Sequence, residues 1–155
     1  RLSRIALHAR TGKQQYKGHP DLEAFQGFYE LCQHPLYYNG GIESLSDIRQ
    51  ILIRFPLLKG VFIGRGLLSS PLLAKEFKGN ETFLPEQRMS IYFAFHEELF
   101  SAYSQVLQGE TQLLVKMKTL WEYFLPETDR KLLKRIKKST RLQQYTESVK
   151  AIFTS

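Results

Sequence analysis

Three short apolar runs, each closed by a polar or glycine-rich turn and followed by a helical pattern, constrain this chain more than any other feature. Ile5-Ala6-Leu7 leads into the loop Thr11-Gly12-Lys13-Gln14-Gln15-Tyr16-Lys17-Gly18. Leu36-Tyr37-Tyr38 ends at Asn39-Gly40-Gly41, and Val61-Phe62-Ile63 ends at Gly64-Arg65-Gly66. Equivalent strand starts are separated by 31 and then 25 residues, the spacing of βα repeats with the right-handed crossover of a parallel sheet. Between the first two runs a helix is expected with Pro20 near its start and Leu22, Phe25, Phe28, Tyr29 and Cys32 on one face. The next begins around Ser44, with Ser46 and Asp47 suited to its cap or first turn and Ile48, Ile51, Leu52 and Phe55 as the buried stripe.

Beyond residue 78 every apolar pattern is helical. Pro85 opens a run in which Tyr92, Phe95, Leu99, Tyr103 and Val106 recur at spacings of three or four, ended by Gly109. A second helix holds Leu113, Leu114, Met117, Leu120, Trp121 and Phe124 and stops before Pro126. Thr128 can cap a third with Leu132, Leu133 and Ile136, and a fourth carries Leu142, Tyr145, Val149 and Ile152. The expected fold class is therefore α/β followed by all-α, with a division into residues 1–79 and a helical bundle at 80–155.

Charge divides the chain in a similar way. The formal charge of +7 over 155 residues is a sum of unlike parts. Residues 1–79 hold 11 basic and 6 acidic side chains, residues 80–125 hold 3 and 6, and residues 126–155 hold 8 and 3. With 43% hydrophobic and 24% charged residues, the composition is that of a globular domain rather than a disordered segment. One cysteine excludes an internal disulfide framework and fits a reducing compartment, and the expected location is the cytoplasm. No apolar run approaches the roughly 18–20 residues of a membrane span, so no membrane partner is expected. Arg1 opens the chain in place of Met, and a strand begins almost at once, as expected of a piece of something longer.

Asn39-Gly40-Gly41 and Gly64-Arg65-Gly66 fall at the C-terminal ends of successive parallel strands. Glycines there let the backbone approach a ligand, and their N–H groups can point at anionic oxygens. A tight turn alone would explain one such loop, but two in succession favour a phosphate site. At the end of the first strand, alternation places His8 and Arg10 on the same side, a pairing suited to an anionic or heteroaromatic ligand. Cys32 lies on an apolar helix face and reads as a packing residue. His19, His34 and His96 lack metal-ligand spacing with acidic residues or Cys32, and no metal is assigned. In the tail, at about 100° per residue, Arg130, Lys134, Lys137, Lys138 and Arg141 fall within roughly a third of a helix circumference. Leu132, Leu133 and Ile136 lie opposite. Such a stripe suits a helix laid along phosphates, with nucleic acid ahead of an anionic membrane surface as the partner.

Taken together, these motifs resemble those of the tRNA-dihydrouridine synthases. His8-Ala9-Arg10-Thr11 with Gln15-Tyr16-Lys17-Gly18 is similar to that family's sixth barrel strand and its loop. Tyr38-Asn39-Gly40-Gly41-Ile42 is similar to the seventh, and Val61-Phe62-Ile63-Gly64-Arg65-Gly66, with Pro71 beyond, to the eighth. Lys116-Met117-Lys118 and Leu133-Lys134-Arg135-Ile136-Lys137-Lys138 resemble the family's C-terminal RNA-binding domain. The resemblance implies strands six to eight of a (β/α)₈ TIM barrel followed by a helical tRNA-binding domain. The parent enzyme would use NADPH and FMN to reduce uridines of tRNA, delivering hydride to a base flipped out of the RNA. By this resemblance His8 contacts FMN and Arg10 lines the same cavity. Backbone groups of Asn39, Gly40, Gly41, Gly64 and Arg65 hold its phosphate, and Tyr16 approaches the flipped base. The tail looks closest to the branch acting at position 16 of the D-loop.

Two departures stand out: Gly41 occupies a position where the family often has an acidic residue, and Leu67 one where a smaller residue is common. The family's proton-donating cysteine and flavin-contacting lysine belong to earlier strands, and Cys32 follows the sixth. No catalytic residue is therefore assigned within this stretch, which by itself is expected to be inactive. Its open strand edges leave a route to self-association. Two rival readings are another phosphate-binding barrel enzyme, which would not need the basic tail, and a non-catalytic RNA-binding module.

Overall fold

The structure, a computed structural model, describes residues 2–10, 12–13 and 18–154. Tyr16 and its neighbours Gln15 and Lys17, together with Thr11, lie outside the described residues. Among those described, three strands and eight helices follow in the order β1 (Ile5–His8), α1 (Leu22–Leu31), β2 (Leu36–Asn39), α2 (Leu45–Arg54), β3 (Gly60–Phe62), α3 (Arg65–Ser69), α4 (Leu73–Gly79), α5 (Pro85–Val106), α6 (Glu110–Leu120), α7 (Arg130–Lys138) and α8 (Leu142–Phe153). The chain separates into two compact units, residues 1–67 with 73–78 and residues 68–72 with 79–155.

In the first unit the strands form a parallel sheet in the order β1-β2-β3. Side chains alternate between its faces. Leu36 and Tyr38 are buried in a core with Phe25, Ile48, Ile51 and Phe55. Phe25 meets Tyr38 and Phe55 edge-on, with ring centroids 4.9 and 5.0 Å apart. Ala6, His8, Tyr37, Asn39 and Phe62 point to the other face, where Ala6, His8 and Phe62 are exposed. Asp21 caps α1, and Ser44 rather than Ser46 caps α2, in a capping box with Asp47. Phe28 turns to solvent, away from the face that buries Phe25. Cys32 is half-buried at the C-cap of α1, packed at the edge of the core.

The second unit departs from the sequence pattern in four places. Helix α6 ends at Leu120; successive turns follow, and Leu125 takes a left-handed φ of 49°. Trp121 and Phe124 thus lie beyond the helix but remain in the core with Met117, Ile136, Tyr145 and Val149. Asp129, not Thr128, caps α7, accepting from the N–H groups of Lys131 and Leu132. Helix α7 then ends at Lys138, because Ser139 turns extended and donates its hydroxyl to Ile136 O at 2.6 Å. The ammonium of Lys118 also bonds Ser139 O. Arg141 is consequently the extended N-cap of α8 and does not prolong the α7 stripe. Val106, expected inside, is exposed at the last turn of α5.

His96, 1% exposed, sits at the centre of this core. Trp121 Nε1 donates to the Tyr145 hydroxyl at 2.9 Å, and that hydroxyl lies 2.7 Å from His96 Nε2. Because the Trp121 indole can only donate, the Tyr145 proton is directed to Nε2. His96 then carries its proton on Nδ1 and donates to Glu97 Oε1, 3.1 Å away. Every member of the relay is satisfied. Burial holds the His96 pKa below its ordinary 6.5, outweighing the Glu97 carboxylate. The unfolded chain therefore takes up a proton first as pH falls, so this contribution is present above about 6.5 and is lost as pH drops through the folded-state value. Thermal melts should show a larger loss of Tm from pH 7.5 to 5 in the wild type than in His96→Gln. Tyr145→Phe, which strands Nε2 and the indole N–H, should cost about 1–3 kcal/mol in denaturant unfolding.

Candidate functional site

The sheet register decides which strand ends meet. His8 pairs with Asn39 and Asn39 with Phe62, so these three residues, on the face away from the core, form one row across the C-terminal edge. One ladder bond continues past the strand, from Ala9 N to Asn39 O at 3.0 Å. The chain then tightens, with Arg10 N donating to His8 O at 2.8 Å. His8 and Arg10 are thus not neighbours on one extended strand; a tight turn brings both to the same cavity. That cavity, of about 290 Å³, is lined by His8, Arg10, residues 39–43, Phe62, Gly64 and Arg65. All seven residues expected to bind the cofactor line it.

Arg10 reaches over the loop, donating through Nη2 to Gly18 O at 3.0 Å. Gly41 carries a φ of 57°, and a side chain there would press on Pro20 at 2.9 Å and approach Arg10 Nη2 at 3.8 Å. Gly40 leaves room for the Tyr38 hydroxyl, which would lie 3.2 Å from a Cβ. Burial raises the Tyr38 pKa above its usual value, so the phenol stays protonated behind the loop.

Three N–H groups at the entry to α2 are committed to its own capping box. Asp47 Oδ2 accepts from Glu43 N at 3.0 Å and Ser44 N at 2.8 Å, and Ser44 Oγ accepts from Asp47 N at 3.1 Å. An anion here is left to the backbone of the glycine loops and to two guanidinium groups. Glu43 adds a carboxylate at the rim. Gly66 explains why the two loops lie together: a Cβ on it would run into the carbonyl oxygen of Ile42.

A second polar concavity lies in the other unit, between α7 and α8. This groove of about 430 Å³ is lined by Lys131, Lys134, Arg135, Lys138, Ser139, Gln144, Glu147 and Ser148. Lys134 and Lys138 of the expected stripe are in it. Arg130 and Lys137 are exposed on α7 outside that lining, and Arg141 is exposed at the start of α8. Among the described residues no cluster of His, Cys, Asp or Glu is fit to hold a metal. No helix among the described residues is long and apolar enough to cross a membrane.

Three contributors escape sequence reasoning. Phe62 is 46% exposed on the floor of the strand-end cavity, where Tyr37 meets it edge-on at 5.7 Å; strand alternation, counted back from Gly64, was the available signal. Lys131 and Arg135 line the tail groove because α8 lies on their side of α7, which no single-helix projection reveals.

The first unit thus presents a strand-end cavity lined by glycine loops and two arginines, and the second a groove lined by four cations of α7. Residues 2–154 match the family model described as dihydrouridine synthase (Dus). The chain belongs to the dihydrouridine synthase family. It is 34% identical over 77 residues to a protein of Aquifex aeolicus (strain VF5) named "Probable tRNA-dihydrouridine synthase", a match covering 50% of this chain and 24% of that protein. A protein of the same name from Rhizobium leguminosarum bv. phaseoli is 36% identical over 67 residues, 43% of this chain and 21% of the relative. The matches thus span between a fifth and a quarter of the relatives' length.

Two neighbouring glycines make opposite predictions. Gly66→Ala should destabilise the first unit by about 1–3 kcal/mol, since the Ile42 backbone must move. Gly64→Ala, whose Cβ meets nothing within 4 Å, should leave Tm nearly unchanged. Thermal unfolding of the two variants checks both.

Proposed function

We propose that this chain is the cofactor-phosphate and RNA-holding part of a tRNA-dihydrouridine synthase that reduces uridines of tRNA. The observation that carries the reading is the convergence of His8, Arg10, residues 39–41, Gly64 and Arg65 on one cavity in a chain of this family. The residues fit flavin mononucleotide: glycine backbone and two arginines suit its phosphate, and the exposed Phe62 and His8 suit a planar heteroaromatic ring. At about 290 Å³ the cavity is at the small end for a ligand site, in keeping with a phosphate end held here and a ring covered by other strands. Parallel sheets are ordinarily covered on both faces. The face bearing Ala6, His8 and Phe62 is exposed, which supports a place for this sheet as strands six to eight of a barrel. Where the sheet stands without those strands, its open edges favour self-association.

Bound flavin, reduced by NADPH, would supply hydride to the uracil. This chain's own residues hold rather than react. Arg10 and Arg65 balance the phosphate charge, the loops at 39–41 and 64–65 offer backbone N–H groups, and His8 orients the ring. Tyr16 is the residue of the following loop assigned to the flipped base. Residues 80–155 form the helical tRNA-binding part: Lys131, Lys134, Arg135 and Lys138 hold successive phosphates, and Arg130, Lys137 and Arg141 extend the basic surface. Position 16 of the D-loop is the proposed target, and the cytoplasm the proposed location.

The full-length protein should purify yellow or take up FMN, and should form dihydrouridine in unmodified tRNA with NADPH. A colourless protein that cannot be reconstituted with FMN overturns the reading. Lys134→Ala combined with Lys138→Ala should weaken tRNA binding and lower the slope of log K against log salt by about 1–2. Salt titrations of the two proteins provide the comparison.

A further inference from the structure

The groove between α7 and α8 is chemically two-sided. Its cations, Lys131, Lys134, Arg135 and Lys138, all come from α7, and at about 100° per residue they share an arc of roughly 100°. They span eight residues, or about 10 Å along the helix. The opposite wall comes from α8 and is made of Gln144, Glu147 and Ser148. Two of these serve the protein itself. Gln144 Oε1 accepts from Thr140 N at 3.1 Å and Thr140 Oγ1 at 3.3 Å, and Ser148 Oγ donates to Gln144 O at 2.7 Å.

Glu147 is different. A carboxylate facing four cations is ordinarily there to neutralise them. Yet among the described residues none of the four forms an ion pair with it. Among the described residues its one hydrogen bond is from Gln143 Nε2, 3.0 Å from Oε1, which steadies the carboxylate from its own helix. Oε2 has no protein partner among the described residues. Against a strand whose only contacts were phosphates this charge would be repulsive. A nucleic-acid strand, however, carries phosphates along one edge and hydrogen-bond donors along the other. Only donors suit an acceptor-only carboxylate.

We propose that Glu147 is a specificity-determining residue, accepting a hydrogen bond from a donor on the RNA strand whose phosphates lie along α7. This rests on the RNA-binding reading of the same groove. The donor is a ribose 2′-hydroxyl or an exocyclic amino group of a base, both of which can donate to a carboxylate. The cations thus set affinity, and Glu147 sets which strand is held and in which direction it runs.

The test measures binding of an unmodified tRNA transcript to the full-length protein and to its Glu147→Gln variant across a salt series. Loss of one hydrogen bond to a charged acceptor should weaken binding about tenfold while the salt slope stays the same. Tighter binding with a slope steeper by about 1 would mean that Glu147 only repels phosphates, and it overturns the proposal, as does unchanged affinity. Two further ligands identify the donor. Preference for RNA over DNA of the same sequence, lost in the variant, assigns the 2′-hydroxyl. Weaker wild-type binding to a transcript with inosine in place of guanosine, absent in the variant, assigns the guanine amino group. Failure of the wild type to bind tRNA at all would sink the RNA reading itself, an outcome distinct from a wild type that binds and a variant that matches it.

Discussion

Parallel pairing in one register is the constraint on which the candidate site depends. His8, Asn39 and Phe62 come from sequence positions up to 54 residues apart, yet pairing sets them side by side at one edge of the sheet. A slip of one residue would turn all of them toward Phe25 and Ile48 and bring Leu36 and Tyr38 outward. The aromatic core behind β2 therefore fixes the candidate site: burying Tyr38 against Phe25, which in turn meets Phe55, keeps Asn39 on the cavity side of the sheet. Gly66 against Ile42 does the same for the loops, fixing the third strand end beside the second.

The second unit solves a different problem. Its basic helix α7 is short and strongly polar, with only one narrow apolar face. Ile136 is fully buried and Leu132 and Leu133 partly so. Its ends are set by local bonds, Asp129 at the start and Ser139 at the finish, with Lys118 on the Ser139 carbonyl. A cation at a helix C-terminus is favourable on its own account. Here it also ties the turn between α7 and α8 to α6, and that turn separates the two walls of the groove. The Trp121–Tyr145–His96 relay joins α5, the segment after α6 and α8 through hydrogen bonds that admit one direction of donation.

Much of the fold was legible because its signals are local. Strand runs, glycine ends and the spacing between them led directly to a parallel three-stranded order, and helical periodicity located α5 through α8 within a few residues. The misplacements came where local and tertiary preferences disagree. Trp121 and Phe124 keep helical spacing but pack from turns, because the chain after Leu120 reverses through a left-handed Leu125. Arg141 keeps the angular spacing of α7 but belongs to α8, because Ser139 is held by bonds from its own hydroxyl and from Lys118. His96 reads as one more polar residue on an amphipathic helix until Tyr145, 49 positions away, arrives as its partner.

The sequence by itself determined the types of groups at the candidate sites: glycines and arginines at strand ends, a run of cations in the tail, and an absence of metal-ligand spacing. Those are properties of residue identity and short-range period. Only the tertiary structure decided which of them act together. It put His8 and Arg10 into one cavity through a tight turn, committed the N–H groups of Glu43 and Ser44 to Asp47, and added Phe62. It brought Lys131 and Arg135 of α7 to the groove, and it set Glu147 on the wall opposite them. The reason is physical: a cavity is bounded by elements distant in the chain, and which face of each element borders it is settled by the packing of the opposite face.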